Sequence, residues 1–301
     1  MKAQKAAYLY AIAAVLCWST IGTAFKWTLR YTDSFQLVFY SVLTALIFTF
    51  IIVCFNGRLK EAFAITPKQW LYSALTGLVN PFVYYLGLIK GYSLLPAQEA
   101  GTLNYFWPVI LLFLSAIVLK QKIAWLAIAA SLVSFFGLMV IVTQGHIASL
   151  SFSSPLGVGL VMFSTFLFAT YWILNMRDKR NVFCKVFLNF LFAFAYIAIL
   201  QVLRGEIKIP AANGLFGSIY VGIFEMGLTF ALWLKALEKT ENTGRISNLV
   251  FLSPFISLFF IGLFLGETIK FATIIGLVLI VSGILLSQVR LAQKNAHQSS
   301  R

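Results

Sequence analysis

Charge is what this chain has least of. Asp, Glu, Lys and Arg make up 11% of its 301 residues, against roughly 25% in a soluble domain. Acidic residues number nine, so the paired carboxylates of acid–base chemistry are hard to assemble. The main acids inside apolar stretches, Glu99 and Glu225, fall at different depths and have no histidine near them in the sequence. The two histidines are His146, in a loop, and His297, in the tail. That excludes a zinc site and a histidine-based nucleophile relay. Cys17, Cys54 and Cys184 lack paired spacing and lie in or beside apolar runs, so they read as packing residues rather than disulfide partners or metal ligands. No Gly-rich phosphate loop with Lys and Ser/Thr occurs, so ATP-driven work would need a separate subunit. Long polar stretches are also missing. Links such as "NGRLKEAFAITPK", "KQK", "RDKRN", "KTEN" and "GETIK" are too short to house an enzyme domain.

Apolar sequence fills the space. Hydrophobic residues make up 60% of the chain, and the mean hydropathy is +0.90. Runs near the ~20 residues that cross a hydrocarbon core recur throughout. The pattern predicts an all-α polytopic membrane protein with ten spans, near 7–28, 34–55, 69–90, 96–119, 123–143, 156–176, 182–203, 214–236, 243–265 and 271–289. The first run, behind Lys2 and Lys5, is too long for the apolar region of a signal peptide and is kept as a helix. The formal charge of +14 then has a topological explanation. With ten spans and the N-terminus inside, Lys26, Arg30, Lys90, Arg204, Lys208 and Lys270 face outward. The remaining 17 of the 23 basic residues face the cytoplasm, so the positive-inside rule places both termini there, with no nucleic-acid partner implied.

The chain also repeats itself. "NYFWPVILLFLSAIVLKQK" has a counterpart in "VFLSPFISLFFIGLFLGET", which aligns Pro108 with Pro254 at an offset of 146 and carries Gly137 onto Gly283. In the preceding span an offset of 145 matches Ser73, Gly77, Asn80 and Lys90 with Ser218, Gly222, Glu225 and Lys235. Residues 1–144 and 155–289 thus read as two five-helix repeats, followed by a cytoplasmic tail at 290–301. Five is odd, so the second copy enters the membrane from the opposite face. Inverted repeats of this kind are a transporter architecture with a substrate site near the midplane. On these residues the sequence resembles the drug/metabolite transporter superfamily, in its ten-span branch with two EamA-type repeats. The stretch "LSPFISLFFIGLFLGETIKFATIIGLVLIVSGILL" carries the resemblance over the second repeat. The segment "PAQEAGTLNYFWP" is similar to YddG-like exporters of aromatic amino acids and related metabolites. One departure stands out: Lys120 and Gln121 occupy the places of Gly266 and Glu267.

Residues three or four apart share a helix face, which groups the polar positions. Ser73, Thr76, Asn80, Tyr84 and Gly87 form one stripe; Ser218, Gly222, Glu225 and Thr229 form its counterpart. Asn80, Glu225 and Trp18 fall near mid-span, where large polar groups are costly, so they are assigned to a cavity. Pro108 has no N–H for the carbonyl of Asn104, and Pro254 frees that of Val250, which makes both prolines candidate helix breaks and gating points. Asn104, Tyr105 and Trp107 surround the first break, and Tyr84 and Trp172 join them as further cavity candidates. Small residues such as Ser73, Ser115 and Ser164 read as packing. Glu99 and Arg245, related by the 146 offset, are candidate gate charges or snorkelling residues. Lys26, Lys185 and Lys235 receive no role. Together these features predict a secondary transporter of a small polar organic metabolite, without a cofactor and with coupling to a proton gradient through Glu225 as an option. The resemblance implies export of amino acids or related, including aromatic, compounds from a bacterial inner membrane. An importer of nucleotide-like metabolites and a non-transporting structural membrane protein stay open as alternatives. Oligomeric state is not legible.

Overall fold

The computed structural model describes residues 2–118, 125–143, 145–146, 153–205, 208–239, 249 and 252–298. All regular structure among the described residues is helical. The first half contains α1 (Lys2–Thr28), α2 (Ser34–Phe55), the short α3 (Leu59–Phe63), α4 (Pro67–Gly77) and α5 (Tyr84–Leu94). These are followed by α6 (Ala97–Asn104), α7 (Trp107–Val118) and α8 (Trp125–Val142). The second half contains α9 (Pro155–Arg177), α10 (Val182–Arg204), α11 (Ala212–Val221), α12 (Leu228–Lys239), α13 (Ser253–Phe260) and α14 (Phe271–Gln298). Wider π-helical turns occupy Gly222–Gly227 and Ile261–Leu265, and the segment Leu78–Val83 is kinked at Asn80.

Local chemistry sets the ends. The Asp33 carboxylate accepts from the amides of Phe35 and Gln36 at 2.8 and 3.0 Å and starts α2. Thr66 and Gln69 form a capping box at α4, with Pro67 at a position that needs no N–H donor. Gly205, at φ 63°, ends α10 in the left-handed conformation that glycine adopts without strain. Where the pattern predicts a single span over 96–119, the helix is interrupted by a turn at Tyr105 and Phe106, and Pro108 stands in the first turn of the next helix. The last helix runs through Gln298, beyond the expected end at 289, because the Lys-, Gln- and Ala-rich tail is good helix sequence.

Helices α1, α2, α9 and α10 are long and apolar enough to cross a bilayer. Large apolar side chains point outward, Leu9, Phe55 and Leu203 among them at 72, 88 and 79% exposure. The interior combines an apolar core that includes Phe25, Leu37, Tyr84 and Leu188 with buried hydroxyl residues such as Ser19, Ser41, Ser164 and Ser218. That distribution suits a lipid solvent, in which helices associate through close approach and interhelical hydrogen bonds.

The packing is reciprocal. Helix α1 lies on α12 and α13, and α9 lies on α5 and α7; α2 packs on α10, and α8 on α14. Two glycines permit the central contacts. A Cβ at Gly77 would stand 2.5 Å from the Asn189 carbonyl oxygen on α10, and one at Gly222 would stand 2.6 Å from that of Ser41 on α2. Ser134 of α8 donates to the Ile280 carbonyl of α14 at 3.0 Å.

Candidate functional site

Glu225 sits in the π-helical turn between α11 and α12. A π turn inserts an extra residue into the helix and re-aims the side chains on either side of it, which makes it a common feature of functional sites. Here it directs the carboxyl group across to the first half. The Tyr85 hydroxyl donates to Oε1 at 3.1 Å. Oε2 is buried and has no hydrogen-bond partner among the described residues. The hydroxyls of Tyr84, Tyr92 and Tyr105 and the thiol of Cys17 all lie within electrostatic reach of this carboxyl. Ion pairs among the described residues are confined to Arg58–Glu61 and Arg180–Asp178, so no fixed cation among them satisfies Glu225.

An aromatic wall flanks the acid. The ring of Tyr84 stacks on Phe168 with centroids 4.9 Å apart, and Trp107 meets Phe168 edge-on at 5.4 Å. Trp172 lies nearly parallel to both Trp107 and Phe230, at 6.3 and 6.2 Å. Its Nε1 is buried and has no acceptor among the described residues. Asn104, the last residue of α6, donates from Nδ2 to the Tyr84 hydroxyl at 3.3 Å and accepts from Thr165 on Oδ1 at 3.4 Å. Tyr105, in the break, donates to Ser253 Oγ at 2.5 Å, and Ser19 donates to the same oxygen at 3.2 Å. Ser253 opens the helix that carries Pro254, so that helix touches the break that precedes Pro108.

Six of the predicted residues, Tyr84, Asn104, Tyr105, Trp107, Trp172 and Glu225, thus belong to one neighbourhood that draws on both halves. Trp18 stands beside it. Its ring contacts Trp233 at 5.4 Å within a cluster lined by Ala7, Ala11, Ala14 and Ala236. Asn80 does not share the helical stripe expected of it. Its φ and ψ of −150° and 126° interrupt the helix just before Pro81, a break the helical spacing concealed. Asn80 is buried against α9 and α10, with Oδ1 unpartnered among the described residues. Glu99 is 3% exposed and accepts from Ser153 Oγ at 2.7 and 2.8 Å. Arg245 and Val250 lie outside the described residues. Ser73, read as packing, accepts from Arg180 Nη2 at 2.8 Å.

Tyr85 and Phe230 are site neighbours that sequence reasoning misses, whereas Phe168, four residues before Trp172, shares its helix face. Adjacent residues on a regular helix point about 100° apart, so Tyr84 and Tyr85 do not look like partners. Phe230 follows Glu225 by five residues, a spacing that only a widened turn brings onto one face. The bundle end that holds Glu99 carries a second polar group that spacing does not reveal. Lys26 Nζ donates to the carbonyls of Tyr92 and Leu95 at 2.9 and 2.6 Å. The Glu267 carboxylate accepts from the amides of Ala97 and Gln98 at 3.0 and 3.4 Å. No cluster of three metal-ligating side chains occurs among the described residues.

The family pattern of EamA-like transporters matches residues 5–143 and 155–288. The chain belongs to the EamA-like transporter family. It is an integral membrane transporter and not an enzyme. An uncharacterized transporter of Archaeoglobus fulgidus is 25% identical over 274 residues, covering 90% of this chain and 94% of the relative. A probable terminal-alkyne amino-acid exporter of Streptantibioticus cattleyicolor is 25% identical over 71% of each chain. Protein PecM of Dickeya dadantii is 24% identical over 74% of this chain and 75% of its own. A protein of known crystal structure shares this chain's fold with a TM-score of 0.69 at 20% identity, covering 96% of this chain and 98% of the other.

Proposed function

We propose that this EamA-like protein is a secondary transporter of ten spans, built from inverted repeats at 1–144 and 155–289, that exports amino acids or related small organic compounds. Both termini lie in the cytoplasm. The substrate site is the neighbourhood of Glu225, Tyr84, Asn104, Tyr105, Trp107 and Trp172, with Glu225 as the candidate proton carrier. The observation that carries this reading is the position of Glu225, which reaches from one half to a tyrosine of the other and keeps one carboxylate oxygen unpartnered among the described residues. A buried acid without a cation is costly in hydrocarbon, so its presence there points to a function. The unpartnered indole N–H of Trp172 adds a donor close to stacked rings, a combination suited to a solute with polar groups on an apolar or flat body. The reciprocal packing of α1 on α12 and α9 on α5 supports the inverted pair, and the amino-acid exporter among its relatives supports the substrate class.

The test is a metabolite comparison inside and outside cells with and without the protein, followed by flux of the affected solutes in liposomes. Lower internal and higher external amino acids are expected with the protein present. Liposomes that move no member of a broad metabolite panel above empty vesicles would favour a structural role instead.

A further inference from the structure

The junction between α5 and α6 is gripped from two sides. Helix α5 ends at Leu94 and α6 begins at Ala97, so the chain offers a negative helix end and a positive one a few residues apart. Lys26 of α1 occupies the negative end through its bonds to the Tyr92 and Leu95 carbonyls. Glu267, from the link between α13 and α14, occupies the positive end through the Ala97 and Gln98 amides. Lys26 and Glu267 lie within electrostatic reach of each other, with Arg30 nearby. Gln98 fastens the same link further: its Nε2 donates to the Thr268 carbonyl at 3.0 Å, and its Oε1 accepts from the Lys270 amide at 3.2 Å and from Thr273 Oγ1 at 3.1 Å. The halves are therefore tied at this end by charge-assisted bonds.

The halves differ in sequence at the capping position. Position 121, which corresponds to 267 in the other half, is glutamine, and a neutral amide is a weaker acceptor for helix-end N–H groups than a carboxylate. We propose that Glu267 and Lys26 form an electrostatic clamp on the α5–α6 junction that holds one end of the transport path shut, and that its release opens that end. The inference rests on the transport reading.

Cys17 provides an internal reporter. It lies in α1 beside the Glu225 site and is partly exposed. In full-length protein carrying Cys54→Ser and Cys184→Ser, a membrane-impermeant maleimide is applied to one face of sealed vesicles at a time, to wild-type 267 and to Glu267→Gln and Glu267→Ala. Labelling of Cys17 from the clamp face is expected to rise about five-fold or more in Glu267→Ala, the scale of one lost charge-assisted bond, and by a smaller factor in Glu267→Gln. No rise is expected from the opposite face. Unchanged labelling with a lower melting temperature would reduce Glu267 to a structural cap and overturn the proposal, as would an equal rise from both faces. If Glu267→Ala does not reach the membrane, Glu267→Gln and Gln98→Ala decide by the same readout. The labelling needs no substrate, so vesicles that move no solute would defeat the transport reading, whereas the clamp stands or falls on Cys17 access alone.

Discussion

Glu225 leaves one carboxylate oxygen without a partner among the described residues, in the middle of a hydrophobic bundle, and its role can be separated from that of a mere hydrogen-bond acceptor. Glu225→Gln keeps the size and the bond from Tyr85 but cannot titrate. Accumulation of substrate driven by a pH gradient is expected to collapse in this variant while substrate exchange survives. Accumulation at the wild-type level would show that Glu225 carries no proton. Asp178, in the link between α9 and α10, illustrates the opposite case of an acid with its cation in place. Burial pushes its carboxyl upward, but hydrogen bonds and charge from Arg180 outweigh that and hold it below the usual carboxylate range, with the closest contact at 2.6 Å. A depressed folded-state value means that the pair's stabilisation is present above the ordinary carboxylate value of ~3.9 and is lost as pH falls through the lower, folded-state value. Asp178→Asn is expected to cost about 1 to 3 kcal/mol at pH 7 by leaving Arg180 without its anion. Thermal melts in detergent should show that difference shrink at strongly acid pH.

At the scale of elements, the interruptions position the chemistry. A continuous helix over 96–119 would put Tyr105 and Trp107 on different faces of one rod. The turn at Tyr105 and Phe106 lets Tyr105 bond Ser253 while Trp107 joins Phe168 and Trp172. The contact of the π turn with α2 depends on the absent side chain at Gly222. Gly222→Val would drive its Cβ to 2.6 Å from the Ser41 carbonyl oxygen and from Thr44 Cβ. Backbone cannot yield as a side-chain tip does, so a loss of about 1 to 3 kcal/mol is expected, the range of overpacked cores. A lower melting temperature and reduced transport should appear together, and Gly222→Ala, which carries the same Cβ, should show the same effect to a lesser degree because Val adds two further methyl groups.

For the whole molecule, the placement of 17 of 23 basic residues on one side of the expected topology makes a direct prediction. Cysteines introduced at position 179, in the 56–68 link and in the tails should react with impermeant reagents only from the cytoplasmic side. Labelling of position 179 only from outside would overturn the ten-span topology.

Composition and periodicity alone determined the helical membrane class and the residues most costly to bury, because the hydrophobic free energy of a span is a sum over its side chains and is readable without knowing its neighbours; the family was carried by the resemblance of particular segments, above all residues 252–286. The prolines at 108 and 254 and the mid-span acid were legible for the same reason: each violates a local rule. Tertiary structure alone decided which of those violations belong together. The Tyr85 partner of Glu225 and the reach of Glu267 onto α6 depend on contacts between residues 140 and 170 positions apart, whereas the interruption at Asn80 stands beside Pro81 and had a local signal. Nothing in local spacing encodes such contacts, since a carboxylate that caps a helix from another half has the same sequence neighbours as one that faces water.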